Sequence, residues 1–372
     1  MSRTTALAGA FVALAACTSP GPGARPTPSP APTTTAAPAT AAPTTVPPTR
    51  TPSPLPTAFG GADVVWPRTS EQAAPPPALG AVVTRRVARH SGGGTLAAGL
   101  TLPRVGGTPL APRVLTPCGR SVVLAAADVR AIPPSNGGAL PKKPRDVVVV
   151  VDPGHGGPQR GAIAPDGDEE KVRNLQVSLL VRDALRGRAG RVVLTRERDF
   201  EATLEFRAAL VDALRADAAV SVHLNSSPDG PRKTPGTETF GSTADGAGRR
   251  FSGIVYEHLR RYVQTLPGPW VGDRDAGAKY RVGANGRDYY GLLRRTHRPF
   301  VISEAMYISS RHEAALVAKP EVRRGLAGAL ADALVAFTQT RAPGSGWVTP
   351  YRRPADPAPP DDGAPVCVDP AR

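Results

Sequence analysis

The sequence predicts an α/β fold: a largely parallel central sheet flanked by helices on both faces, preceded by a small β-rich subdomain and a disordered Pro/Thr-rich linker. Three observations lead there. Short apolar runs at 147–151 (VVVVV), 191–195 (RVVLT), 218–222 (AAVSV) and 300–303 (FVIS) are the kind that form strands buried on both sides. Stretches at about 168–186, 201–215, 247–264 and 320–338 carry helical patterning, and in the third Phe251, Val255, His258 and Tyr262 fall on one face. Strand and helix therefore alternate, as they do when helices cross over a parallel sheet.

From the first residue onward, "MSRTTALAGAFVALAACTSP" has a basic start at Arg3, an apolar stretch Thr4–Ala16 and small residues before Cys17. Thirteen apolar residues are too few to span a bilayer core, which needs about 20. Residues 1–17 are therefore expected to be an export signal, and "Leu14-Ala15-Ala16-Cys17" resembles a bacterial lipobox, with Cys17 the lipidated residue. Residues 18–57 hold 13 prolines and no acid, so they are expected to be an extended spacer without a core. Residues 58–140 are expected to form the β-rich subdomain, because short β-prone runs between Ala81 and Ile132 are broken by Gly/Pro clusters; an SH3-like arrangement would fit. The α/β domain follows at 146–341, and 342–372 is a Pro-rich tail expected to wrap the surface. With Cys17 taken, Cys118 and Cys367 are the two cysteines left, an even remainder that favours a disulfide in an exported chain.

A net charge of +15 suits an anionic partner such as a cell-wall polymer, membrane head groups or nucleic acid, and does not choose among them. The glycines around His155 in "VDPGHGG" lack the following Gly-Lys-Ser/Thr of a phosphate cradle. In open α/β sheets ligands bind beyond the carboxyl ends of strands. His155 follows the first apolar run, His223 closes "AAVSVHLNSS", and Glu304 closes "PFVISEAMYISS", while the Glu169/Glu170 pair opens the helix after the first strand. Two histidines and a carboxylate with one position left open form a recurring catalytic zinc arrangement, and His155, Glu170 and His223 fit it. Zinc there would activate water and polarise a carbonyl.

The series "VDPGHGG", "GDEEKVRNL", "VVLTR", "SVHLNS" and "VISEAMYIS", in that order over 146 to about 338, resembles the zinc-dependent N-acetylmuramoyl-L-alanine amidases of the Amidase_3 family. The resemblance implies zinc ligands at His155, Glu170 and His223, since Glu170-Lys171 with Asn174-Leu175 matches the family frame Glu-Lys-x-x-Asn-Leu. It implies Glu304 as the catalytic acid/base. Glu169 is left to close a capping box on Asp166. Asn225, Arg294 and Arg207 resemble positions near the family's site, as substrate contacts or structural residues. The family often has Gly-Phe after the last-strand Glu and an Asn beyond; Ala305-Met306-Tyr307 and Ser310 stand there instead, so the cleft is expected to differ in shape. The implied activity is hydrolysis of the amide between N-acetylmuramic acid and the L-alanine of the stem peptide of peptidoglycan. The expected setting is the outer face of the cell membrane, reached through an N-terminal lipid anchor, with no nucleic-acid partner expected and no activating protein named by the sequence. A zinc peptidase cutting within the stem peptide and a catalytically silent wall-binding lipoprotein are the alternatives.

Overall fold

The structure is a computed structural model that describes residues 59–67, 74–244, 246–284, 286–351 and 367–371. The signal segment with Cys17 and the linker 18–57 lie outside the described residues. The first strands among the described residues are β1 (Ala81–Thr84), β2 (Ala88–Arg89), β3 (Thr95–Leu96), β4 (Thr101–Gly107), β5 (Pro112–Leu115), β6 (Ser121–Val123) and β7 (Val129–Ile132). Five of them form an antiparallel sheet in the order β6-β5-β4-β1-β7, and β2 pairs with β3. This sheet has no closed core of its own. Neighbouring residues of a strand face opposite ways, so Val82 packs with Leu102, Val114 and Leu124, while Ala81 packs with Val148, Val150 and Leu210 of the larger domain. Phe200, Ala202 and Phe206 enter the small sheet's core from the other side. The β-rich part is thus a buttress sharing its core with the α/β part.

The α/β part contains β8 (Val148–Pro153), α1 (Glu170–Ala184), β9 (Arg191–Leu194), α2 (Leu204–Ala213), β10 (Ala218–Asn225), β11 (Gly230–Arg232), β12 (Glu238–Gly241), α3 (Gly248–Val263), β13 (Trp270–Gly272), β14 (Ala278–Lys279), α4 (Gly291–Arg295), β15 (Phe300–Tyr307), α5 (Arg311–Val317) and α6 (Pro320–Gln339). The main sheet runs β14-β12-β15-β10-β8-β9. The four strands the sequence predicts, β9, β8, β10 and β15, are parallel neighbours, and β12 is antiparallel to β15. The valine run shows why it has no polar alternation. Val149 and Val151 pack against α1, α3 and α6 on one face, with Val177, Val181, Phe251 and Leu330, while Val148 and Val150 pack against α2 and α4 on the other, with Leu214 and Leu292. Both faces are covered, so both sets must be apolar.

Three local expectations need correction. α2 begins at Leu204, not 201, because the Thr203 side chain caps it by accepting from the Phe206 amide. α1 begins at Glu170, and no capping box forms: Glu169 precedes the first turn and pairs with Arg160 at 2.5 Å and Lys171 at 3.3 Å, while Asp166 accepts from the Asp168 amide within its own turn. Residues 59–67 do not join the β-rich part. Phe59 donates its amide to Ser345 Oγ at 2.7 Å, Gly60 accepts from the Gly346 amide at 2.7 Å, and Trp66 Nε1 donates to Ser242 O at 3.0 Å. The reason is aromatic burial: Phe59, Val64 and Trp66 close a small core around Trp347 of the tail. At the tail's other end Cys367 is bonded to Cys118, with 5.5 Å between the Cα atoms, and Asp369 accepts from the Cys118 amide and pairs with Arg120.

Candidate active site

Because β8, β10 and β15 are parallel neighbours, their carboxyl ends share one rim. His223 stands opposite Glu304 in register, and Val222 stands opposite Pro153, two residues before His155. Glycines let the groups converge. A Cβ on Gly154 would lie 2.2 Å from the His223 ring, and one on Gly161 would lie 2.5 Å from Glu170 Oε2 and 2.6 Å from the His155 ring. His155 itself takes a left-handed backbone, φ 59°. In the resulting cluster His155 Nε2 is 3.0 Å from Glu170 Oε2, and His223 Nδ1 is 3.0 Å from Glu170 Oε1. The buried Glu170 carboxylate also accepts from Asn174 Nδ2 and the amides of Ala162 and Leu224. Burial would raise its proton affinity, but the bonds to His155 and His223 hold it well below the usual carboxylate range.

Two buried arginines grip the backbone under these groups. Arg196, 1% exposed, forms no ion pair among the described residues; its guanidinium donates to the carbonyls of Pro153, Gly154, Lys171 and Arg198. It thereby ties the His155 turn to the first turn of α1, which carries Glu170. Burial, with Arg207 close by, pulls its proton affinity down to about 10, against the opposing pull of Asp152 and Asp199. Arg207 donates to the carbonyls of Ala202, Pro153 and His155 and pairs with Asp152, whose second oxygen accepts from Ser221 Oγ at 2.6 Å. Arg207 is 3% exposed and is held in a buried ion pair.

Glu304 sits one strand further along the rim. Its Oε2 is buried with no hydrogen-bond partner among the described residues. Burial, with Glu170 and Glu238 close by, pushes its carboxyl up to about 8, against the opposing pull of His223. Beyond it, Glu238 faces Glu304 across the β12 and β15 pair, and Asn225 Nδ2 donates to Glu238 Oε2 at 2.8 Å. Asn225 therefore braces the rim. The acids Glu238, Asp273 and Asp275 also lie close enough together to suggest a metal site. The chain's own cation occupies that position: Lys279 Nζ is 2.7 Å from Glu238 Oε1 and 2.8 Å from Asp275 Oδ1. Arg294, in the short α4, donates to the carbonyls of Asp288 and Tyr289 and so fixes the loop that carries Tyr290 between the two chambers of the cleft.

Residues 149–336 match the sequence profile of a family described as N-acetylmuramoyl-L-alanine amidase, Amidase_3. The chain belongs to that family. Its amidase region is 32% identical over 191 residues to the uncharacterized protein YqiI of Bacillus subtilis strain 168, covering 51% of this chain and 84% of YqiI. It is 24% identical over 204 residues to the germination-specific N-acetylmuramoyl-L-alanine amidase of the same organism, covering 51% and 79%. Among solved structures, the catalytic domain of CwlV, an N-acetylmuramoyl-L-alanine amidase from Bacillus (Paenibacillus) polymyxa, aligns over 50% of this chain and 95% of that one at 28% identity, with a TM-score of 0.43.

For this amidase, sequence reasoning placed the rim residues but missed what holds them. Asp152 and Arg196 stand in "VDPGHGG" and "VVLTR", yet Arg196 holds backbone carbonyls and Asp152 holds two hydroxyls and Arg207, 55 residues away, which leave no spacing signal. Glu238 and Lys279 sit in strands of four and two residues, too short for a period to show. The residues after Glu304 have local roles: Tyr307 OH accepts from the Asp273 amide at 3.0 Å, and Ser310 caps α5.

Proposed function

We propose that this amidase is a zinc enzyme in which His155, Glu170 and His223 hold the metal and Glu304 moves the protons. The reading rests on one observation: the three donor side chains converge within 4.8 Å of one another on the strand-end rim, with an unbonded carboxylate oxygen of Glu304 beside them. The donor set suits zinc, which takes nitrogen and oxygen ligands and in catalytic sites uses three protein ligands. A Cβ on Gly154 or Gly161 would fill the space the ligands share. When bound, the ion would supply a Lewis acid that polarises the lactyl carbonyl and raises the acidity of water.

The chain's own groups supply the rest. Glu170, fixed by Asn174 and two amides, orients both imidazoles. Glu304 takes the proton of the attacking water and delivers it to the leaving L-alanine nitrogen; a carboxyl with proton affinity near neutrality can do both. Arg196 and Arg207 hold the His155 turn still while this happens. We further propose export and lipid anchoring at Cys17, supported by "LAAC" and the Pro/Thr-rich spacer after it. The test is mass spectrometry of purified peptidoglycan digested by the protein with and without a chelator. Free stem peptides beginning at L-alanine, lost on chelation and restored by zinc, are the expected products. Cuts inside the stem peptide would establish a peptidase, and no products with zinc present would overturn the hydrolase reading. Anchoring is read separately: detergent partitioning of the mature protein should disappear in Cys17→Ser.

A further inference from the structure

Along the rim the sheet order places Lys279 (β14), Glu238 (β12), Glu304 (β15), His223 (β10) and His155 (after β8) in sequence. Glu304 lines one of the two chambers of the cleft, and Tyr290 lines both. One chamber is lined by His155, His223, Gln159 and Leu204, the other by Asn225, Glu238, Tyr290 and, from the far end of the chain, Pro350 and Tyr351. The last two lie outside the matched region 149–336. They are fastened in place. Trp347 is buried under the Arg249 guanidinium at 3.7 Å, Ala278 donates its amide to Gly346 O at 2.9 Å and accepts from the Val348 amide at 2.9 Å, and the Tyr351 amide donates to Asp275 Oδ2 at 2.7 Å. Arg274 covers the Tyr351 ring at 4.3 Å, and the residue is still 51% exposed.

Resting on the reading of Glu304 as the proton donor to the leaving nitrogen, the chamber on the far side of Glu304 from the histidines must receive what that nitrogen carries, namely the stem peptide. The sugar then lies toward His155 and Leu204. We propose that Tyr351 is a specificity-determining residue whose ring packs against the stem peptide beyond its first alanine. A rigid aromatic wall with polar neighbours suits a short peptide, since it offers contact area at little entropic cost.

The test compares two soluble substrates, N-acetylmuramoyl-L-alanine and an N-acetylmuramoyl tripeptide, with wild-type protein, Tyr351→Ala and Tyr351→Phe. The ratio of kcat/KM, longer over shorter substrate, should fall roughly five- to tenfold in Tyr351→Ala and recover in Tyr351→Phe. Zinc content and thermal midpoint should stay with wild type, since the ring is at the surface. In a Glu304→Gln background, calorimetry of the tripeptide ligand reads the same contact with turnover slowed, and Tyr351→Ala should weaken Kd by the same factor. An unchanged ratio and Kd would overturn the proposal while leaving the amidase reading intact. A rise in kcat/KM on the longer substrate would also overturn it, showing that the tail obstructs the cleft. If wild-type protein cleaves neither substrate and Glu304→Gln binds neither, the reading of the site itself fails.

Discussion

On the His155 side of the cleft the backbone is gripped directly, by Arg196 and Arg207 donating to the carbonyls of Pro153, Gly154, His155 and Lys171. On the Tyr351 side, side chains hold side chains: Lys279 joins Glu238 and Asp275, Asn225 holds Glu238, and the tail is stitched on from outside the matched region. The difference matches the reading proposed above, with metal ligands on one side and a substrate wall on the other. Ligands that must meet within a few tenths of an ångström need a fixed backbone beneath them. A wall that faces variable substrate can be assembled from replaceable parts.

The largest expected effect separates proton transfer from metal holding. Glu304→Gln should lower turnover by roughly 10² to 10⁴, with zinc content by elemental analysis near wild type; parallel loss of zinc would make Glu304 a ligand and erase the difference between the two sides. Next, Arg207→Met leaves the Asp152 carboxylate buried without its partner, and removing one member of such a pair costs about 3 to 5 kcal/mol. Urea unfolding should show that loss, and a near-neutral result would mean that the backbone grip does not depend on the pair.

A control far from the cleft comes third. His258 on α3 is held down to about 4 by burial, with Arg261 and Arg188 adding to this and Asp332 on α6 opposing it. Its folded proton affinity lies below the unfolded value of about 6.5, so the unfolded chain takes up the proton first. The stability His258 contributes is therefore whole above pH 6.5 and is lost as pH falls toward 4, by about 3 kcal/mol in all. His258→Leu should flatten that acid limb in unfolding curves without changing the long-to-short substrate ratio. Smallest is Arg196→Lys, which keeps the charge but cannot reach all four carbonyls. Zinc affinity should fall roughly 10- to 100-fold, while Tyr351→Ala leaves it untouched.

How far the sequence could be read follows the same division. Val147–Val151, the rim histidines and Glu304 were legible because burial on both faces and the strand-end rule leave a local trace. The antiparallel β12 was not: "ETFG" is short, and its Glu238 is buried only because Lys279, 41 residues away, is buried with it. Nor was the shared core of the β-rich part legible, since which face Ala81 presents depends on where β8 lies. The tail was read from its prolines as a surface wrap, and Trp347 was the overlooked signal, a large apolar residue that a free tail has no reason to carry.

The Cys118–Cys367 bond also makes the protein a different mechanical object. It closes a covalent ring over a sequence separation of 249 residues that includes every strand and helix of the amidase region. Tension applied between the two ends of the chain passes through that bond and never through the catalytic sheet. Force spectroscopy should then release only the segments outside the ring, with roughly 850 Å of further contour length appearing once a reductant opens it.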